Sequence, residues 1–278
     1  MRKIKLIKSG VAAVDGAGVH LYRIFGYHDT PLFDPFLLLD DFRNDQPENY
    51  IAGFPWHPHR GIETITYMLE GSAEHGDSLG NSGVIRKGEV QWMTAGSGII
   101  HQEMPKPDEQ GRMYGFQLWA NLPAKHKMIA PRYQDVSAEN IPTVNDPQGA
   151  SVKVICGSYL QTQGAVEDIV IDPQYWDVSI LPEKQVILPV KQGYTCFVYC
   201  YCGDAVIDNH AIYNRQVVLF EDGENILIQS GKAGTNLLFI SGKPLGEPIS
   251  WRGPIVMNSK AEIDLAFRQL GDNTFISG

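Results

Sequence analysis

The chain has 278 residues, of which 43% are hydrophobic and 20% charged, enough apolar material for one large core or two ordinary ones at roughly 150 residues per domain. A formal net charge of −9 gives no basic face for nucleic acid or an anionic membrane. No run approaches ~18 apolar residues, the opening MRKIKLIKSG lacks the apolar centre of a signal peptide, and four cysteines are too few for a disulfide scaffold, so a cytoplasmic protein with reduced thiols is expected.

In chain order, β-branched and aromatic runs predict strands at 18–26, 62–70, 84–92, 113–119, 150–156, 167–171, 175–181, 194–202, 216–220, 225–229 and 236–241. Turn signals punctuate them: Gly71-Ser72, Leu79-Gly80-Asn81, Lys87-Gly88, Cys202-Gly203-Asp204 and Glu221-Asp222-Gly223. Many short strands with glycine-rich turns predict an all-β sandwich or barrel. One helix is predicted at 259–270, with Ser259 as N-cap, Glu262 three residues on and Gly271 ending the run. The polar stretch 121–150, with four prolines, reads as a junction, dividing the chain into an N-terminal domain at 1–130 and a C-terminal domain at 131–278.

Two segments carry chemistry. In His57-Pro58-His59 the imidazoles are two residues apart, and alternate residues of an extended segment share a face. Neutral imidazole suits Fe, Ni, Cu, Mn or Zn. In His101-Gln102-Glu103, after the turn glycines Gly96 and Gly98, the same spacing joins an imidazole to a carboxylate. Either pair alone is as often solvated or packed in a core. Two matched pairs on neighbouring strands would bring three nitrogens and one oxygen together, leaving an octahedral ion two open positions.

The first segment resembles the cupin motif, His-x-His followed by Glu63 and Gly71, and the second resembles its partner. More narrowly, FPWHPHRGIETITYMLEG, HGDSLGNSGVIRKGEVQWMTAGSGIIHQE and GFQLWANLP are similar to the pirin family, as are DPFLLLDDFR at 34–43 and GPIVMNSKAEI at 253–263. The resemblance implies two cupin jelly-roll barrels with a short C-terminal helix. It also implies one mononuclear divalent transition metal in the first barrel, iron before Mn, Ni, Cu, Co or Zn. Its implied ligands are His57, His59, His101 and Glu103. Glu63, the carboxylate of general cupins, is left out, and Thr94-Ala95-Gly96 follows the pirin pattern.

The implied activity is a quercetin 2,3-dioxygenase-like ring opening of flavonols. The substrate 3-hydroxyl would meet the metal and lose its proton to Glu103 as catalytic base, and dioxygen would open the ring with loss of carbon monoxide. The alternative is an iron-binding, redox-responsive regulator acting through a protein partner; a sugar-type isomerase or storage cupin ranks behind both. The expected ligands are a small planar aromatic and dioxygen, with no direct nucleic acid and no membrane. Arg60, at the pocket rim or on the surface, and Gln117, if its strand face is the inner one, are candidate substrate contacts. His75, His126 and His210 lack partners at ligand spacing, so no second metal site is expected. Cys196, Cys200 and Cys202 are expected on one strand face with Val198, where core packing outweighs a metal or redox role.

Overall fold

A computed structural model describes residues 1–276, more than half of them in strands, with one α-helix among the described residues. Two compact units are present, and neither is one continuous stretch. One comprises Met1–Val11, Pro31–Pro35 and Glu139–Pro244; the other comprises Ala12–Thr30, Phe36–Ala138 and the chain from Leu245 onward. Within the expected junction the chain changes unit at Ala138–Glu139. It also does so at four places that composition did not mark.

The unit rich in later residues is built on a nine-stranded antiparallel sheet. Its two long strands, Thr195–Ile207 and Asn225–Gly242, each serve two sets of partners. Register shifts at Cys200/Cys202 and Gly203/Ala205 mark where their pairing is offset. Strand Ile4–Ser9 pairs antiparallel with Gln216–Phe220 at one edge. The core is Val152, Val178, Cys196, Val198, Leu237 and their neighbours, with Trp176 stacked on Phe239 at 4.1 Å. Two expectations are corrected here. Residues 167–171 form no strand: Asp168 and Asp172 adopt positive φ, which breaks extended pairing. Cys202 is exposed while Cys196 and Cys200 are buried, because the register shift after Cys200 ends the alternation that would have grouped all three. Burial pushes the Cys196 thiol up to about 12, so it packs as an unreactive apolar group.

The other unit has two large sheets and a two-stranded ribbon of Ser250–Arg252 with Ile255–Met257. Seven strands run in the order Arg132–Val136, Val90–Thr94, Ile62–Glu70, Tyr114–Asn121, Phe36–Asp41, Val19–Phe25 and Val11–Asp15. Four run as Phe54–His59, Ile99–Lys106, Ser72–Asp77 and Ser82–Arg86. The segment expected as one strand at 84–92 is thus divided between the sheets by the Lys87-Gly88 turn. Apolar residues between the layers, including Val19, Leu21, Met68 and Met113, form a jelly-roll core. Helix Lys260–Gly271 begins as its sequence indicates: Ser259 Oγ accepts from Glu262 N at 3.3 Å. Its buried face, Ile263 and Ala266, packs on Ile255, Met257 and Phe275 of the same unit. No helix among the described residues is long and apolar enough to cross a membrane.

Candidate metal centre

Strands Phe54–His59 and Ile99–Lys106 lie side by side in antiparallel register, with His101 opposite His57 and Ile99 opposite His59. Cross-strand partners share a face, so the two-residue spacing of the first strand and the pairing of the second converge. One ring nitrogen from each of His57, His59 and His101 lies within 4.8 Å of the others. The turns beside them require glycine. Gly61 has φ 77°, and a Cβ there would sit 2.0 Å from the Val256 carbonyl oxygen. Gly96 has φ 50°, and its Cβ would meet the Ile129 carbonyl oxygen at 2.1 Å.

The hydrogen bonds decide what this cluster wants. His57 Nδ1 donates to the Pro55 carbonyl at 3.0 Å, and His59 Nδ1 donates to the Pro254 carbonyl at 3.0 Å. A carbonyl accepts only, so both protons reside on Nδ1 and both Nε2 atoms carry bare lone pairs. These Nε2 atoms face each other at 3.1 Å, a repulsive contact unless a cation lies between them. A proton is a poor answer: burial, then the neighbouring His57, hold His59 down to about 3, and burial also lowers His101. A metal fits. Two nitrogens at right angles and ~2.1 Å from one ion stand ~3.0 Å apart. His101, buried with both ring nitrogens unpartnered, supplies the third donor.

Glu103 stands outside the three-imidazole cluster. Its Oε1 lies 3.1 Å from the Thr66 hydroxyl, whose other neighbour is Gln117 Oε1 at 2.8 Å. Glu103 and Gln117 both line a cavity of about 770 Å³, together with His57, His59, Phe54 and Trp119, so the inner face of the Gln117 strand is settled. Arg60 is not among the lining residues. It is buried, donating to the carbonyls of Ser97 (2.6 Å) and Phe275 (2.8 Å) and to Gln269 Oε1 (2.6 Å), with its guanidinium over the Phe275 ring. It braces the turns flanking the histidines rather than a rim. Glu63 is not part of the cluster and accepts from Thr94 at 2.7 Å. His75 is buried against the Tyr133 ring, and His210 is on an exposed hairpin. Trp56 is exposed.

Several contributors escaped the sequence reading. Thr66, Asp40 and Arg23 line the cavity. The signal for Asp40 was present: two acidic residues close the apolar run of LLLDD. Lys127 had none. Its ammonium is buried and donates to Gly61 O (2.8 Å), Asn121 Oδ1 (2.7 Å) and Val256 O (3.0 Å).

Comparison with known proteins shows the family. The Pirin family model matches residues 18–120, and the Pirin C-terminal cupin domain matches residues 175–276. A Pseudomonas aeruginosa protein named "Putative quercetin 2,3-dioxygenase PA3240" is 43% identical over 98% of this chain and 97% of its own length. A pirin-like protein of Caulobacter vibrioides is 41% identical over 96% of each chain. The crystal structure of a quercetin 2,3-dioxygenase from Acinetobacter baumannii superposes with a TM-score of 0.92 at 33% identity, covering 100% of this chain and 99% of that one. Two cupin domains, matched family models and relatives aligned along the whole chain place this protein in the pirin family.

Proposed function

We propose that this protein is a metal-dependent dioxygenase that opens flavonols such as quercetin and releases carbon monoxide. One observation carries the reading: His57 and His59, with facing lone pairs and His101 clustered beside them, border an aromatic-lined cavity large enough for a planar three-ring molecule. The quercetin 2,3-dioxygenase relatives point the same way. His57, His59 and His101 would hold the ion, with Glu103 as the fourth donor or adjacent base; iron is the first choice, and Mn, Ni, Cu, Co or Zn also suit these donors. When bound, the metal supplies a Lewis acid toward the substrate hydroxyl and an electron-transfer centre toward dioxygen.

The chain's own residues do the rest. Glu103 takes the proton of the flavonol 3-hydroxyl, and Thr66 aims its carboxylate by hydrogen bond. Leu38, Phe54 and Trp119 exclude water and hold the ring system. The Pro254 and Pro55 carbonyls keep the Nε2 lone pairs of His59 and His57 turned inward. Arg60 makes no substrate contact in this scheme, whereas Gln117 does. A reducing cytoplasm suits the chain's free cysteines.

The test is aerobic incubation of metal-loaded protein with quercetin, following loss of its visible absorbance and release of carbon monoxide. The expected result is one carbon monoxide per quercetin consumed. Retained metal without turnover would overturn the reading in favour of a redox-responsive binding protein.

A further inference from the structure

The cavity contains a row of polar side chains that metal binding does not require. On adjacent strands of the seven-stranded sheet, Arg23 is registered opposite Asp40, Asp40 opposite Gln117, and Gln117 opposite Thr66. Cross-strand partners share a face, and all four line the cavity. Strands lie ~4.8 Å apart, so Asp40 stands two strands, roughly 10 Å, from the Thr66 that holds Glu103. Apart from Asp15 at its edge, the side chains named around this row are apolar, including Leu21, Leu38, Phe42, Met68 and Trp119.

Asp40 is 5% exposed. Its two oxygens each accept one Arg23 N–H, at 2.9 and 2.7 Å. A carboxylate has about four acceptor sites, so at least two remain for the cavity. Beside it, Gln117 spends one end of its amide on Thr66, and its other polar atom has no partner among the described residues. A buried acceptor next to an unspent amide matches a phenolic hydroxyl, which both donates and accepts. The chain's charges here are Asp15, Asp40 and Glu103 against Arg23 alone, which disfavours a ligand with its own carboxylate.

We propose that Asp40 and Gln117 form a second recognition point, which binds a phenolic hydroxyl at the end of the substrate remote from the metal. It selects neutral polyhydroxylated planar aromatics over aromatics that lack the distant hydroxyl or carry an acid there. This rests on the flavonol reading above for the orientation of the ligand, with one hydroxyl at the imidazoles and the other at Asp40.

The experiment uses the full metal-loaded chain and three ligands: quercetin, quercetin with every hydroxyl but the 3-hydroxyl methylated, and 3-hydroxyflavone. Dissociation constants come from flavonol absorbance in the absence of oxygen, and kcat/KM from turnover in air. The wild type is expected to favour quercetin over the other two by about tenfold or more. In Asp40→Asn and in Gln117→Leu that ratio falls toward one. A ratio taken within one variant cancels general damage to the protein, and the two variants guard against one that fails to fold. No preference in the wild type, or a preference unchanged in both variants, overturns the proposal. If the binding ratios behave as expected while no flavonol is turned over, the dioxygenase reading fails and the recognition point stands.

Discussion

The two facing lone pairs of His57 and His59 are the most informative detail at the scale of single residues. Their tautomers follow from carbonyl acceptors two and 195 residues away, and the resulting 3.1 Å contact demands a cation. The clustered imidazoles were legible because His57-Pro58-His59 and His101-Gln102-Glu103 are each local in sequence, where strand alternation applies directly. The neighbours were not. Arg60 reads as a rim charge until its acceptors at Gln269 and Phe275 are known, more than 200 residues downstream. Glu103 was found by the same alternation, and the proposed base role has a clean consequence. Glu103→Gln should keep the metal, since the three imidazoles remain, and slow flavonol turnover by ~10²–10⁴-fold. Metal analysis beside steady-state kinetics checks both halves; full activity would exclude Glu103 as the base.

Strands and turns were legible wherever alternation and glycine agreed, as at Ile62–Glu70 and Ala150–Cys156, and the helix from its cap. They were not where a register shift intervenes, as after Cys200, or where positive φ overrides β-branched composition, as at 167–171. Lys127 joins elements that no pattern connects: its ammonium ties the turn after His59 to strand Ile255–Met257, whose neighbour Pro254 orients His59. Burial pushes Lys127 down to about 7, against the pull of Glu247 and Glu262. Its unfolded value is 10.5, so between about pH 7 and 10.5 the unfolded chain binds the extra proton, and stability from this group rises with pH by up to ~1.4 kcal/mol per unit. Lys127→Met removes a donor from three acceptors and should cost about 3 kcal/mol. Chemical denaturation at pH 7.5 and 9.5 should show the gap between wild type and variant widening with pH. A constant gap would mean that Lys127 keeps its charge throughout.

At the scale of the molecule, composition and turn density were enough for two β domains, but the threading was not visible. The first strand completes the sheet of residues 139–244, and the last 30 or so residues belong with the histidines. Backbone pairing between Ile4–Ser9 and Gln216–Phe220 leaves no local mark in either segment. A fragment of residues 1–130 contains every candidate ligand yet lacks the Pro254 carbonyl, the Val256 acceptor of Lys127 and both C-terminal partners of Arg60. It should therefore retain no stoichiometric metal where the full chain does, as equilibrium dialysis would show; tight binding by the fragment would refute the bracing role of residues 245–276. The three imidazoles themselves face the most direct test in anaerobic loading with Fe(II), followed by metal analysis of the wild type and His101→Ala. The expected result is one ion per wild-type chain and none in the variant, and a wild type without metal, or a variant that binds it equally, would contradict the metal centre.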